Sequence, residues 1–196
     1  MELLQGVQYY VVNRCSNLIN IASTELAYVL VLVQPLMWNT YFYANSIVPG
    51  ESALFLCAQW LCAGWIAVNA AARALYTKSS TGSMFGPPQT QRNSVYASDR
   101  VCTKRKLTHL YWEWTSANFM DLNANMLMYL MVWFVPALIS TQFRAVSGLL
   151  VLSALLGAFM AYRSGEFFTY TSLWCYISVP IVLAVILYIY TQLYAV

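Results

Sequence analysis

The stretch Leu18–Tyr43, LINIASTELAYVLVLVQPLMWNTYFY, decides the fold. As a helix it exceeds the roughly 20 residues that cross a hydrocarbon core, and Glu25 is its only charge. It lacks the alternation of a barrel strand and is longer than the ~10 residues such a strand needs. Four more apolar runs follow at Ala53–Leu75, Leu122–Ile139, Val146–Tyr162 and Tyr170–Leu193. They are separated by Pro49-Gly50, a polar stretch, Thr141–Arg144 and Arg163–Glu166. The reading is an all-α, polytopic membrane helix bundle with five spanning helices. Met1–Val12 reaches only about 18 Å and cannot span, so residues 1–17 are expected to hold a short N-terminal non-spanning helix. The chain reads as one membrane domain, 1–196. Helices one and two occupy 18–75, a basic inside loop 76–106, and an interfacial segment with helices three to five 107–196.

Composition agrees. The chain is 60% hydrophobic and 9% charged, against about 25% charged in a soluble domain, and its mean hydropathy is +0.57. A soluble domain of this size has too much surface to hide so much apolar area. Six of the ten Lys and Arg residues fall between Lys78 and Lys106. With Arg14, Arg73 and Arg163 they lie on one side of the expected topology and leave Arg144 on the other. This positive-inside pattern orients the loop toward cytoplasm, matrix or stroma and the C-terminus outward. No repeating basic surface suggests nucleic acid. The five cysteines are odd in number, have no zinc spacing and read against structural disulfides.

Four residues form the candidate polar membrane site: Gln34, Asn39, His109 and Glu113. Pro35 removes a backbone donor and frees a carbonyl, which Asn39 is placed to satisfy, while Gln34 can bond a neighbouring helix. His109 and Glu113, four apart, share one face of a helix beside Trp112 and Trp114. The simplest reading is an interfacial belt where the chain re-enters the bilayer. Two ligands are too few for a metal, so neither metal nor cofactor is expected, and no nucleophile elbow or P-loop is present. Ala63, Ala67 and Ala71, and Ser153 with Gly157, have the four-residue spacing of close helix packing. Lys104, Arg105 and Lys106 should mark the membrane boundary and contact anionic lipid or an acidic partner.

Met1-Glu2-Leu-Leu-Gln5-x-x-Gln8-Tyr9 is followed by Cys15, Asn20, Thr24, Tyr28, Gln34-Pro35 and Asn39. Cys102, His109-x-x-Trp112, Phe134-Val135-Pro136, Glu166 and Ser172-Leu-Trp174-Cys175 complete the series. In this order the motifs resemble an uncharacterised family of multi-pass membrane proteins of bacteria, algae and large DNA viruses. The resemblance implies a seven-helix architecture in which an extra helix precedes the Met-Glu motif. On that resemblance, a missing first helix and a shortened second are the expectation that would explain the short N-terminal segment here. A histidine expected before the Phe-x-Pro region is replaced by a run containing Met126, Met128 and Tyr129, so that what the resemblance implies for chemistry needing two histidines is in doubt here.

The resulting expectation is a non-catalytic accessory or structural subunit of a larger membrane complex, in an energy-transducing (respiratory) organellar assembly of the mitochondrial inner membrane. Its partners would be other membrane subunits and anionic lipids such as cardiolipin. The alternative is a stand-alone membrane enzyme or transporter using the Gln34-Pro35 kink with His109 and Glu113. A viral or cell-surface component would keep the same fold.

Overall fold

The computed structural model describes residues 2–78, 101–106, 109–113, 126–163 and 170–194. Residues 79–100 of the basic loop, 122–125 of the third expected span, and Glu166 lie outside the described residues, and for Lys106 and Glu113 only the backbone is described.

Six helices are seen among the described residues: α1 (Glu2–Val11), α2 (Leu18–Asn45), α3 (Glu51–Lys78), α4 (Met126–Ile139), α5 (Arg144–Arg163) and α6 (Tyr170–Tyr194). The fold is all-α and membrane-helix-like. Among the described residues three helices are long and apolar enough to cross a membrane: Leu18–Asn45, Glu51–Ala71 within α3, and Arg144–Arg163. Met128–Ile139 and Leu173–Leu187, in the third and fifth expected spans, are shorter apolar stretches. α1 has ten residues, in keeping with the short helix expected there.

Helix boundaries follow local chemistry. The Asn17 side chain accepts from the Ile19 N–H at 2.8 Å and caps α2. Gly50 follows Pro49 with φ +89°, a left-handed turn that glycine takes without a Cβ clash. At this end of the bundle the two turns are tied together. The Glu51 carboxylate accepts from the Ser140 hydroxyl, the Thr141 N–H at 2.6 Å and the Thr141 hydroxyl at 2.7 Å. Gln142 donates to the Asn45 carbonyl at 2.8 Å and accepts from the Ile47 N–H at 3.0 Å.

The core is aromatic. Phe42 packs on Phe55 and Phe143 with ring centroids 5.4 and 4.7 Å apart. Trp133 stacks on Phe134 at 4.7 Å and lies 5.4 Å from Trp174. Such pairs add to the apolar burial that holds the helices.

The small-residue readings separate. A Cβ at Gly157 would sit 3.1 Å from the Cα and Cβ of Trp174, so α5 and α6 approach as the Ser153/Gly157 spacing predicts. Ser153 accepts from the Trp174 indole N–H at 3.0 Å. The alanine stripe of α3 does not play that part: Ala67 and Ala71 are exposed. The face of α3 that is buried carries Phe55, Ala58, Cys62, Trp65 and Asn69. Phe55, Cys62, Trp65 and Asn69 set that contact with Ala58, while Ala63 is half-buried and Ala67 and Ala71 face outward.

Two further expectations are corrected. His109–Glu113 is a β-strand, β2, paired antiparallel with β1 (Cys102–Lys106). Leu110 and Trp112 are buried while His109 and Tyr111 are half-buried, an alternation of period two that overrides helical spacing. Cys15 and Cys102 form a disulfide across 87 residues, and among the described residues Cys57, Cys62 and Cys175 take no part in a disulfide. The spacing of the cysteines carries no trace of this pair, because the fold brings the corner before α2 against β1.

Candidate functional site

Where α1 turns into α2, the β-hairpin is docked on a buried polar seat. Asn13 takes φ 64°, a conformation asparagine tolerates better than most residues, and this turns the chain between the helices. Its N–H donates to the Thr103 carbonyl at 3.1 Å and its side chain accepts from the Arg105 N–H at 2.9 Å. Asn20, fully buried, donates to the carbonyls of Val11 and Thr103 at 2.8 and 2.9 Å and accepts from the Thr103 N–H at 2.8 Å. The hydroxyls of Thr24 and Thr103 meet at 2.7 Å. Gln8 donates to the Ser23 carbonyl at 3.0 Å and accepts from the Trp112 indole at 2.9 Å. A buried polar group without a partner costs about 1–3 kcal/mol, so these pairings make the seat specific. The Cys15–Cys102 disulfide fastens it covalently.

A second polar group lies deeper in the bundle. Asn39, also fully buried, donates to the carbonyls of Pro35 and Val132, both at 2.9 Å, and contacts the Cys62 sulfur at 3.5 Å. It thus serves Pro35's own carbonyl and bridges α2 to α4. The carbonyl one turn earlier, which the proline leaves without its N–H partner, is not the one it reaches. The Asn39 Oδ1, Trp65 Nε1 and Trp133 Nε1 atoms are buried without a hydrogen-bond partner among the described residues. Gln34 accepts from the Tyr129 hydroxyl at 3.0 Å, which is the expected bond to a neighbouring helix.

These residues do not form one site. Gln34 and Asn39 lie on successive turns of α2, within the bundle, while His109 and Glu113 belong to the hairpin at its end. His109 sits opposite Lys106 and Glu113 opposite Cys102, at opposite ends of the ladder. Four residues along a strand is about 13 Å, about twice the separation on a helix. Among the described residues no three His, Cys, Asp or Glu side chains come together to hold a metal ion. Lys104 is half-buried and Arg105 exposed on β1.

Sequence reasoning missed the hairpin seat, although Gln8, Cys15, Asn20, Thr24, Cys102 and Trp112 all stand in the ordered motif series. The available signal was the alternation His109-Leu-Tyr-Trp112. Its partner strand, rich in Lys and Arg, has little β-propensity of its own.

Residues 1–193 match a family model whose description reads family of unknown function (DUF5765). No curated protein and no solved structure matches the chain.

Proposed function

The chain belongs to the DUF5765 family, and from that premise we propose that it is a non-catalytic accessory subunit of a larger membrane complex. The observation that carries this reading is dispersal. Each polar residue with catalytic potential that can be followed is engaged in holding the fold or stands apart from the others. Asn39 bridges α2 and α4, Gln34 is bonded to Tyr129, and His109 lies on a hairpin away from both. A stand-alone enzyme or transporter needs such groups to converge on one cavity. Exposed apolar residues along α3, α5 and α6, such as Trp60, Leu155 and Leu187, offer surface for lipid and for neighbouring subunits.

The proposed address is the mitochondrial inner membrane, in a respiratory assembly. The Cys15–Cys102 disulfide supports an oxidising compartment at the hairpin end, here the intermembrane space. This replaces the orientation expected from the basic residues. Charge biases insertion statistically, whereas a disulfide persists only where thiols are not kept reduced. Lys104 and Arg105 then meet anionic headgroups such as cardiolipin, each gaining about 1 kcal/mol.

The test is extraction of the tagged chain in mild detergent, followed by native electrophoresis and protein and lipid mass spectrometry. A discrete assembly far larger than 22.2 kDa, with fixed partners, is the expected result. Retained cardiolipin should fall in the Lys104→Gln/Arg105→Gln double variant. A monodisperse single chain would overturn the subunit reading.

A further inference from the structure

Between α2 and α6 lies a groove of about 550 Å³, walled by Gln34, Trp38 and Tyr41 on one side and Ser178, Val182 and Ile186 on the other. Its position follows from how α1 ends. α1 runs antiparallel to α2, with Val11 beside Asn20 and Gln8 beside Ser23. At 1.5 Å per residue this register brings Glu2, the first residue of α1, to about the level of Val29. The groove starts at Leu30 and extends to Tyr41. Ser23, Leu30, Gln34, Met37 and Tyr41 follow one another at helical spacing along one stripe of α2. The groove is therefore the open continuation of the seat that α1 fills. It is about 16 Å long, roughly half of a 30 Å hydrocarbon core.

Its chemistry is uneven. The wall is apolar and aromatic except near the end closest to α1, where Gln34 stands. The Gln34 carbonyl oxygen is taken by the Tyr129 hydroxyl. Its amide N–H₂ has no acceptor among the described residues and borders the groove. Gln34 is half-buried, and an unpaired donor facing an apolar groove is costly. The Ser178 hydroxyl, by contrast, donates to the Cys175 carbonyl at 2.8 Å.

We infer that the groove binds a small lipophile, about half a bilayer long, whose flat carbonyl-bearing head accepts a hydrogen bond from Gln34. Trp38 and Tyr41 line the groove and supply aromatic area against which a flat conjugated body can pack. A mostly apolar cavity with one well-placed polar group is the usual form of a site for such a molecule. A plain acyl chain would leave the Gln34 amide unpaired. A straight spanning helix of a partner would run into the end of α1.

The probe is a benzoquinone carrying a ten-carbon alkyl tail, titrated into the full chain in phosphatidylcholine nanodiscs while tryptophan fluorescence is followed. Saturable quenching is expected above the linear background from lipid partitioning. In Gln34→Met, which keeps side-chain length, affinity should fall at least tenfold. Val182→Trp, which fills the groove and leaves the Gln34–Tyr129 bond in place, should abolish saturation while circular dichroism stays unchanged. Decylbenzene, which has no carbonyl, should fail to displace the quinone. Purely linear quenching in the wild-type chain would overturn the inference, as would displacement by decylbenzene at equal concentration. So would a phospholipid chain or partner helix that occupies the groove and that the quinone cannot displace.

Discussion

Asn39 and Gly157 show what a single residue decides inside an apolar bundle. Asn39 holds two carbonyls on two helices, so Asn39→Leu should lower stability by about 1–3 kcal/mol. Thr40→Ala removes an exposed hydroxyl that bonds only the carbonyl one turn back, and it should stay within about 0.5 kcal/mol. Thermal unfolding in detergent compares the two, and equal losses would contradict the bridging role. A Cβ added at Gly157 would lie 3.1–3.2 Å from backbone atoms of Trp174, so Gly157→Val must push α5 from α6 and should cost at least about 1–3 kcal/mol. Gly148, with nothing within 4 Å of its Cβ position, should accept alanine with a gain of about 0.4–1 kcal/mol. Gly157 was legible beforehand, because a small residue at four-residue spacing has a local physical reason; Asn39 was legible as a polar residue beside Pro35, but not in the carbonyls it reaches. Asn20 and Thr103 were not legible as partners. Eighty-three positions separate them, and nothing local in either sequence requires the other.

At the scale of elements, the hairpin carries the largest departure from the helical reading. Long apolar runs declare their helices because their length matches a bilayer. β1 and β2 are five residues each and take their shape from what they dock against. Thr103 and Trp112 turn inward on the α1–α2 corner, Leu110 is buried, and the disulfide closes the contact. Closing so long a loop restricts the unfolded chain, so Cys102→Ser should lower stability by about 2–4 kcal/mol. The Asn20–Thr103 hydrogen bonds remain in that variant and hold the hairpin less firmly. Trypsin should then cut after Arg105 faster than in the oxidised wild-type chain, and reduction of the wild type should reproduce the change. Identical cleavage rates in all three samples would show that the polar seat alone suffices.

For the molecule as a whole, the short first helix and the long apolar runs of α2, α3 and α5 were readable from the sequence, but the compartments were not. Basic residues and cysteines point opposite ways at the same end of the bundle, and only the pairing of Cys15 with Cys102 reveals the conflict. The other end is stapled by Glu51 and Gln142 across two turns, away from the disulfide. The proposed topology is a membrane bundle whose two polar ends face different compartments, with the disulfide clamp in the oxidising one. The most direct measurement introduces Thr90→Cys in the basic loop and, separately, Ala145→Cys beside the α4–α5 turn. Each chain is treated with a membrane-impermeant maleimide in sealed vesicles of known sidedness, with the unsubstituted chain as background. The expected result is labelling at position 90 from the oxidising side and at position 145 only from the opposite side. Labelling of both positions from one side, or of position 90 from the reducing side alone, would contradict the account.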